Sequence, residues 1–136
     1  MDNPFLQQLI FIANDIYTSL GAGYNEVVYH RSFEVALRLH GINYQSEVVT
    51  PVMYKGISVG HSRVDLIVNG FIIEFKAINH LSNDAIIQTK NYMKHYSISQ
   101  GLVINFNQKN TSIDIRYING DLIYALNPDN TFIQVS

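Results

Sequence analysis

The chain has no cysteine, few charges and no surplus of positive charge, and each lack narrows what it can do. Without cysteine there are no disulfides and no thiolate zinc sites, and the redox compartment stays open. Lysine and arginine number 9 against 11 aspartates and glutamates, a net charge of −2. A sequence-independent nucleic-acid binder normally carries a basic surplus, so such binding here requires clustered cations. No apolar run approaches membrane-spanning length, and the N-terminus has neither a basic nor an apolar leader region. An intracellular protein without membrane contact is expected. What is present, 136 residues with 47% hydrophobic and 15% charged, suits one compact α/β domain over residues 1–136.

The most informative stretch runs from Arg63 to Lys76. Two short apolar runs flank Asn69-Gly70, the strongest short-range hairpin signal, because both central residues of a type I′ turn need positive φ. Counting outward from that turn, Val68 faces Phe71, Asp65 faces Glu74 and Arg63 faces Lys76. These charged residues share a face with Ile67 and Ile72. The other face, with Val64, Leu66, Val68, Phe71, Ile73 and Phe75, must be buried. Two carboxylates opposed across a ladder lie about 5 Å apart at Cβ. At an effective dielectric of 20 they repel by roughly 3 kcal/mol. Lys76 and Arg63 can offset that charge within an ion cluster on the sheet. A hard divalent cation held by the two acids is the alternative, with Lys76 beside it.

The rest of the chain surrounds this hairpin. Asp2 or Asn3 can cap a helix with Pro4 at its first position, and Phe5, Leu6, Leu9, Ile12, Ala13, Ile16 and Leu20 recur at helical spacing. After Gly21-Ala22-Gly23, a second helix spans about 25–40, with Tyr29, Phe33, Ala36 and Leu37 as its apolar stripe and Gly41 as its stop. Glu26 extends that stripe, though a first-turn acid also favours the helix dipole without any further role. Residues 42–53 turn β-like, with Pro51 marking an edge or bulge, and 57–68 form the next strand.

Ser82 caps a third helix over 83–96. Its core stripe is Ala85, Ile86, Thr89, Met93 and Tyr96, beside a polar stripe of Gln88, Asn91, Tyr92 and His95. Lys90 and Lys94 on it can meet phosphate. The apolar run 102–106 suits a strand buried on both faces. Residues 113–118 and 122–126 flank Asn119-Gly120 as a second hairpin, and 131–135 add an edge strand. The order is α-α-β-β-β-α-β with a β-rich extension over 107–136, an α/β sandwich with helices against a mixed sheet. His30, His61, His80 and His95 show no metal-cluster spacing and read as incidental.

This order, with Asp65 on one strand and Glu74-Phe75-Lys76 on the next, resembles the PD-(D/E)XK nuclease superfamily. Gly23-Tyr24-Asn25-Glu26-Val27-Val28-Tyr29 resembles the signature of the GxxExxY protein family. Tyr54-Lys55-Gly56, Val59-Gly60, Arg63-Val64-Asp65-Leu66, Glu74-Phe75-Lys76-Ala77, Gln88-Thr89-Lys90-Asn91-Tyr92 and Ile104-Asn105-Phe106 are similar to its later blocks. The likeness covers about 10–106. It departs at Asn107, where glycine is usual, and at Asn83-Asp84-Ala85, which lacks a common histidine.

The resemblance implies a restriction-endonuclease-like fold and a site of Glu26, Asp65, Glu74, Lys76 and Gln88. Asp65, Glu74 and the Phe75 carbonyl would hold magnesium or manganese, with Glu26 completing the shell. Lys76 would orient or deprotonate the attacking water, and Gln88 would position the lysine or that water. Tyr29 and Tyr92 would support them. The activity implied is hydrolysis of nucleic-acid phosphodiesters, DNA first. A non-catalytic module that keeps the fold and binds nucleic acid or a protein partner is the alternative, and the weak charge balance favours it somewhat. One site per small chain leads to the expectation of a weak homodimer for cutting both strands.

Overall fold

The computed structural model describes residues 3–109 and 112–136. Its elements are α1 (Pro4–Leu20), α2 (Glu26–Leu39), β1 (Gln45–Tyr54), β2 (Ile57–Val68), β3 (Phe71–Lys76) and α3 (Asn83–Tyr96), then β4 (Gln100–Asn105), β5 (Asp114–Asn119), β6 (Leu122–Leu126) and β7 (Phe132–Gln134). The seven strands form one sheet in chain order. All neighbours are antiparallel except β3 and β4, which run parallel because α3 carries the chain back across the sheet. This is the expected α/β sandwich, and β5 to β7 extend the same sheet.

One face is covered by α1 and α2. Asn3 caps α1 by accepting the Leu6 N–H at 3.1 Å, with Pro4 in the first turn. Asp2, the alternative cap, lies outside the described residues. Leu6, Leu9, Ile12, Ala13 and Ile16 are buried at helical spacing, whereas Leu20 is exposed in the last turn. With Tyr29, Phe33 and Leu37 of α2 they pack on Leu66, Val68, Phe71, Ile73, Phe75, Leu102 and Ile104. Each large side chain buried this way contributes about 1.5–3 kcal/mol.

The other face is thinner. There α3 sets Tyr92 and Met93 against Val64, Ile72, Ile118 and Ile123. Tyr92, expected on the polar stripe, is buried in this layer. The helix can lie this close to β4 because Gly101 has no side chain; a Cβ there would stand 2.7 Å from Met93 Sδ.

The first hairpin turns on Asn69 and Gly70, at φ 45° and 79°, and pairs Val68 with Phe71, Ile67 with Ile72 and Leu66 with Ile73. The ladder then stops. Arg63 and Lys76 are therefore not opposed as expected; Arg63 Nη1 instead lies 3.9 Å from Glu47 on β1. The six residues expected on the apolar face are all buried, but Val64 joins the α3 layer while Leu66 and Val68 face α1 and α2. Strand alternation breaks between them, at Asp65. The second hairpin also departs from expectation. Asn119 pairs with Leu122, so its loop is Gly120-Asp121, one residue beyond Asn-Gly. Past the reach of β3, β1 and β2 continue as a two-stranded arm, with Pro51 in the edge strand β1 and a bulge at Val52/Met53.

Candidate active site

Asp65 has no partner in either ladder: β1 pairs with β2 on both sides of it but skips Glu47, and β3 pairing ends one residue earlier. Side chains replace the missing backbone bonds. Glu74 Oε2 accepts the Asp65 N–H at 2.7 Å, and Asp65 Oδ2 accepts the Phe75 N–H at 2.8 Å. Each acid thus takes an amide from the opposite strand, which holds the two carboxyl groups together where their charges oppose each other. One oxygen of each is spent on this bond, leaving Asp65 Oδ1 and Glu74 Oε1.

Glu74 is 3% exposed, and that burial decides its chemistry. Desolvation first, and the Asp65 charge second, push its carboxyl up to about 8, against the partial relief of the Asp65 N–H and Lys76. Burial also raises Asp65, opposed by the Phe75 N–H, His30 and Lys76. Glu26, at the first position of α2 and on the exposed lip of the site, is raised by partial burial while Lys76 opposes the shift. Three acids that bind protons too readily, around one lysine, form a pocket short of positive charge.

An open cleft of about 420 Å³ is lined by Glu26, Lys76 and Gln88, with Ser82, Asp84 and Ala85. A second groove, lined by Gln88, Asp84, Tyr92 and His95 of α3 and by Thr50 and Ser62, adjoins it. Gln88 Nε2 donates to the Tyr92 hydroxyl at 3.2 Å, and that hydroxyl donates to the Arg63 carbonyl at 3.2 Å. Tyr92 therefore ties α3 to the broken edge of β2. Tyr29 is buried, stacked on Phe106 with centroids 4.3 Å apart, and donates to the Gly21 carbonyl at 2.6 Å. It anchors the turn that delivers Glu26.

Glu26, Asp65, Glu74, Lys76 and Gln88 are thus brought to one place, with Tyr29 and Tyr92 behind them, while the Arg63 side chain faces outward to Glu47. Two further residues belong here. His30, read as incidental, is buried with Nδ1 4.0 Å from Asp65 Oδ1. Its place one helical turn beyond Glu26 was the available signal. Asn105, on β4 beside Lys76, accepts the Ile78 N–H at 2.9 Å and donates to the Ile78 carbonyl at 3.0 Å. It pins the chain just after the lysine.

Among the described residues no group of three His, Asp or Glu side chains is disposed to hold a metal ion. The donors nevertheless fit a hard cation. Magnesium needs only one or two carboxylates and keeps waters for its other positions. Asp65 and Glu74 each have an oxygen left, and both are acids that burial leaves undercompensated.

A mixed sheet between helices, with an acid pair and a lysine on adjacent strands beside a polar cleft, defines a nuclease-type α/β fold. The chain belongs to the PD-(D/E)XK nuclease superfamily, whose sequence profile matches residues 3–118. In fold it is similar to the crystal structure of SSO0001, with a TM-score of 0.54 and 20% identity over 68% of this chain. The match takes in 48% of that protein, so this chain corresponds to about half of it. No curated protein gives a significant match. Among the described residues no helix is long and apolar enough to cross a membrane.

Proposed function

We propose that the chain, as one nuclease domain over 1–136 of the GxxExxY type, hydrolyses nucleic-acid phosphodiesters, DNA first, with magnesium or manganese. The observation that carries this is the acid pair of Asp65 and Glu74 at the broken ladder, with Lys76 two residues on. Asp65 and Glu74 hold the ion, with the Phe75 carbonyl and Glu26 as further oxygen donors. When bound, the ion supplies Lewis acidity and neutralises phosphate charge. Lys76 would orient the attacking water and, as an ammonium group, offset the negative charge growing on the phosphate; only as the free amine would it help take the water's proton. Gln88, steadied by Tyr92, positions that water or the lysine. Tyr29 keeps Glu26 at the lip of the cleft. Two copies of the chain form a weak homodimer when both strands are cut; sedimentation that shows only monomer at working concentration removes that part.

The test is cleavage of plasmid and single-stranded DNA with magnesium or manganese, by wild type, Glu74→Ala and Lys76→Ala. Cleavage by wild type alone, with all three folded, is expected. The same behaviour in all three sinks the enzymatic assignment. A second possibility is a module that keeps the fold without turnover and binds a protein partner, which the net charge of −2 favours, or nucleic acid. A salt-sensitive gel shift without cleavage would mark that case.

A further inference from the structure

A half-buried polar cluster outside the motif residues, with His30 at its buried centre, touches Asp65. His30 Nε2 lies 3.0 Å from Glu34 Oε2 and 3.1 Å from Ser46 Oγ, and Ser46 donates to the same Glu34 oxygen at 2.9 Å. The ring also packs against Phe75, with centroids 5.1 Å apart. A carboxylate only accepts, so Nε2 carries the hydrogen shared with Glu34, and the ring orientation follows from that bond. Nδ1 then faces Asp65 Oδ1, the oxygen that the Phe75 N–H does not use, across 4.0 Å, an ion-pair distance too long for a hydrogen bond, and it attracts that oxygen when it carries hydrogen as well. Asp65 needs such a hold, because it lacks ladder partners on both sides and the residue across from it, Glu47, sits at φ 52°.

We propose that His30 is a positioning residue: clamped by Glu34 and Ser46, it sets the direction of Asp65 Oδ1 beside Glu74 and so the affinity for the divalent cation. The cation rests on the nuclease reading above; the hold on Asp65 does not. Three elements meet in this clamp, α2 through His30 and Glu34, β1 through Ser46 and β2 through Asp65. The first turns of α2, which carry Glu26, are thereby locked to the strand that carries Asp65. Outer partners of this kind typically change metal affinity by about 10- to 100-fold when removed.

Two substitutions separate positioning from packing. In His30→Gln the side-chain amide can reach Glu34 and Ser46 but leaves nothing at Nδ1. In His30→Asn the amide takes the place of Nδ1 and gives up Glu34. Three measurements apply to each: thermal unfolding, exchange of the Phe75 amide in metal-free protein, and calorimetric titration with Mn²⁺. His30→Gln is expected to melt within a few degrees of wild type and to exchange the Phe75 amide about tenfold faster relative to the rest of β3. It is also expected to bind Mn²⁺ at least about tenfold more weakly, with His30→Asn recovering part of both losses. Wild-type exchange together with wild-type Mn²⁺ affinity in His30→Gln overturns the proposal. If wild type itself binds no Mn²⁺, the nuclease reading fails, and the Phe75 amide alone decides: faster exchange supports the hold on Asp65, unchanged exchange refutes it. Should His30→Gln not fold, Ser46→Ala removes one holder of the ring and is read on the same amide, with the same two outcomes.

Discussion

The two hairpins β2–β3 and β5–β6 begin alike and end differently. Both turn through two residues with a glycine among them, and both pair antiparallel from the turn outward. β5–β6 continues through four consecutive pairs to Arg116 and Ala125, with Tyr117 stacked beside Tyr124. β2–β3 stops after three, where Asp65 and Glu74 take the amides that backbone carbonyls would otherwise hold. The uninterrupted ladder is a structural wall. The interrupted one trades backbone bonds for two carboxyl groups held together, and the site is made where the sheet stops pairing.

The largest effect should come from removing an acid at the interruption. Asp65→Ala or Glu74→Ala is expected to lower metal-dependent cleavage by about a thousandfold, in line with the loss of a group that stabilises transition-state charge. Steady-state assays with circular dichroism as the folding control measure it. Removing Asp121, the exposed acid in the turn of the uninterrupted hairpin, should leave cleavage within about twofold.

Next comes pH. Glu74 is raised from 4.5 to about 8 in the folded protein, so the folded state binds a proton that the unfolded chain has released. The stabilisation this gives is complete below pH 4.5 and is lost as pH rises through about 8. Metal-free protein should therefore lose on the order of 4 kcal/mol between pH 5 and pH 9. Denaturant titration across that range reads it. Glu74→Gln should flatten the profile, and saturating Mn²⁺ should restore stability at high pH, because a ligand bound only by the folded state stabilises it.

The smallest effects concern the turns. Asn69 sits at φ 45°, so Asn69→Ala should cost about 1 kcal/mol. Asn119 lies in the ladder opposite Leu122, and Asn119→Ala should cost only a few tenths of that. Urea unfolding of the two variants side by side decides it. Equal losses would mean that the second turn falls on Asn119-Gly120 after all.

The same contrast explains what was legible in the sequence. Element order, the α3 bounds and the register of Val68 with Phe71 followed from periodicity, Ser82 and Asn69-Gly70, which are local signals. The meeting of Asp65 with Glu74 followed from counting along that register. Counting failed two residues further, at Arg63, because a ladder was assumed to continue past the acids that end it. Val64 changed sides for the same reason. His30 was missed although it lies one turn beyond Glu26 and one turn before Glu34, because the partners that give it a role, Ser46 and Asp65, lie on β1 and β2 and meet it only when those elements pack. Asn105 was noted within a block, but its bonds to Ile78 depend on β4 lying parallel to β3. Local chemistry could be read from the chain, and cross-element chemistry could not.

The central claim, that the pair of acids at the broken ladder holds a hard divalent cation, is tested most directly by anomalous diffraction from crystals grown with Mn²⁺. A peak within coordination distance of both Asp65 and Glu74, absent in Glu74→Ala, is the predicted result. Cleavage-competent crystals with no peak there, or with the ion held elsewhere, would contradict it.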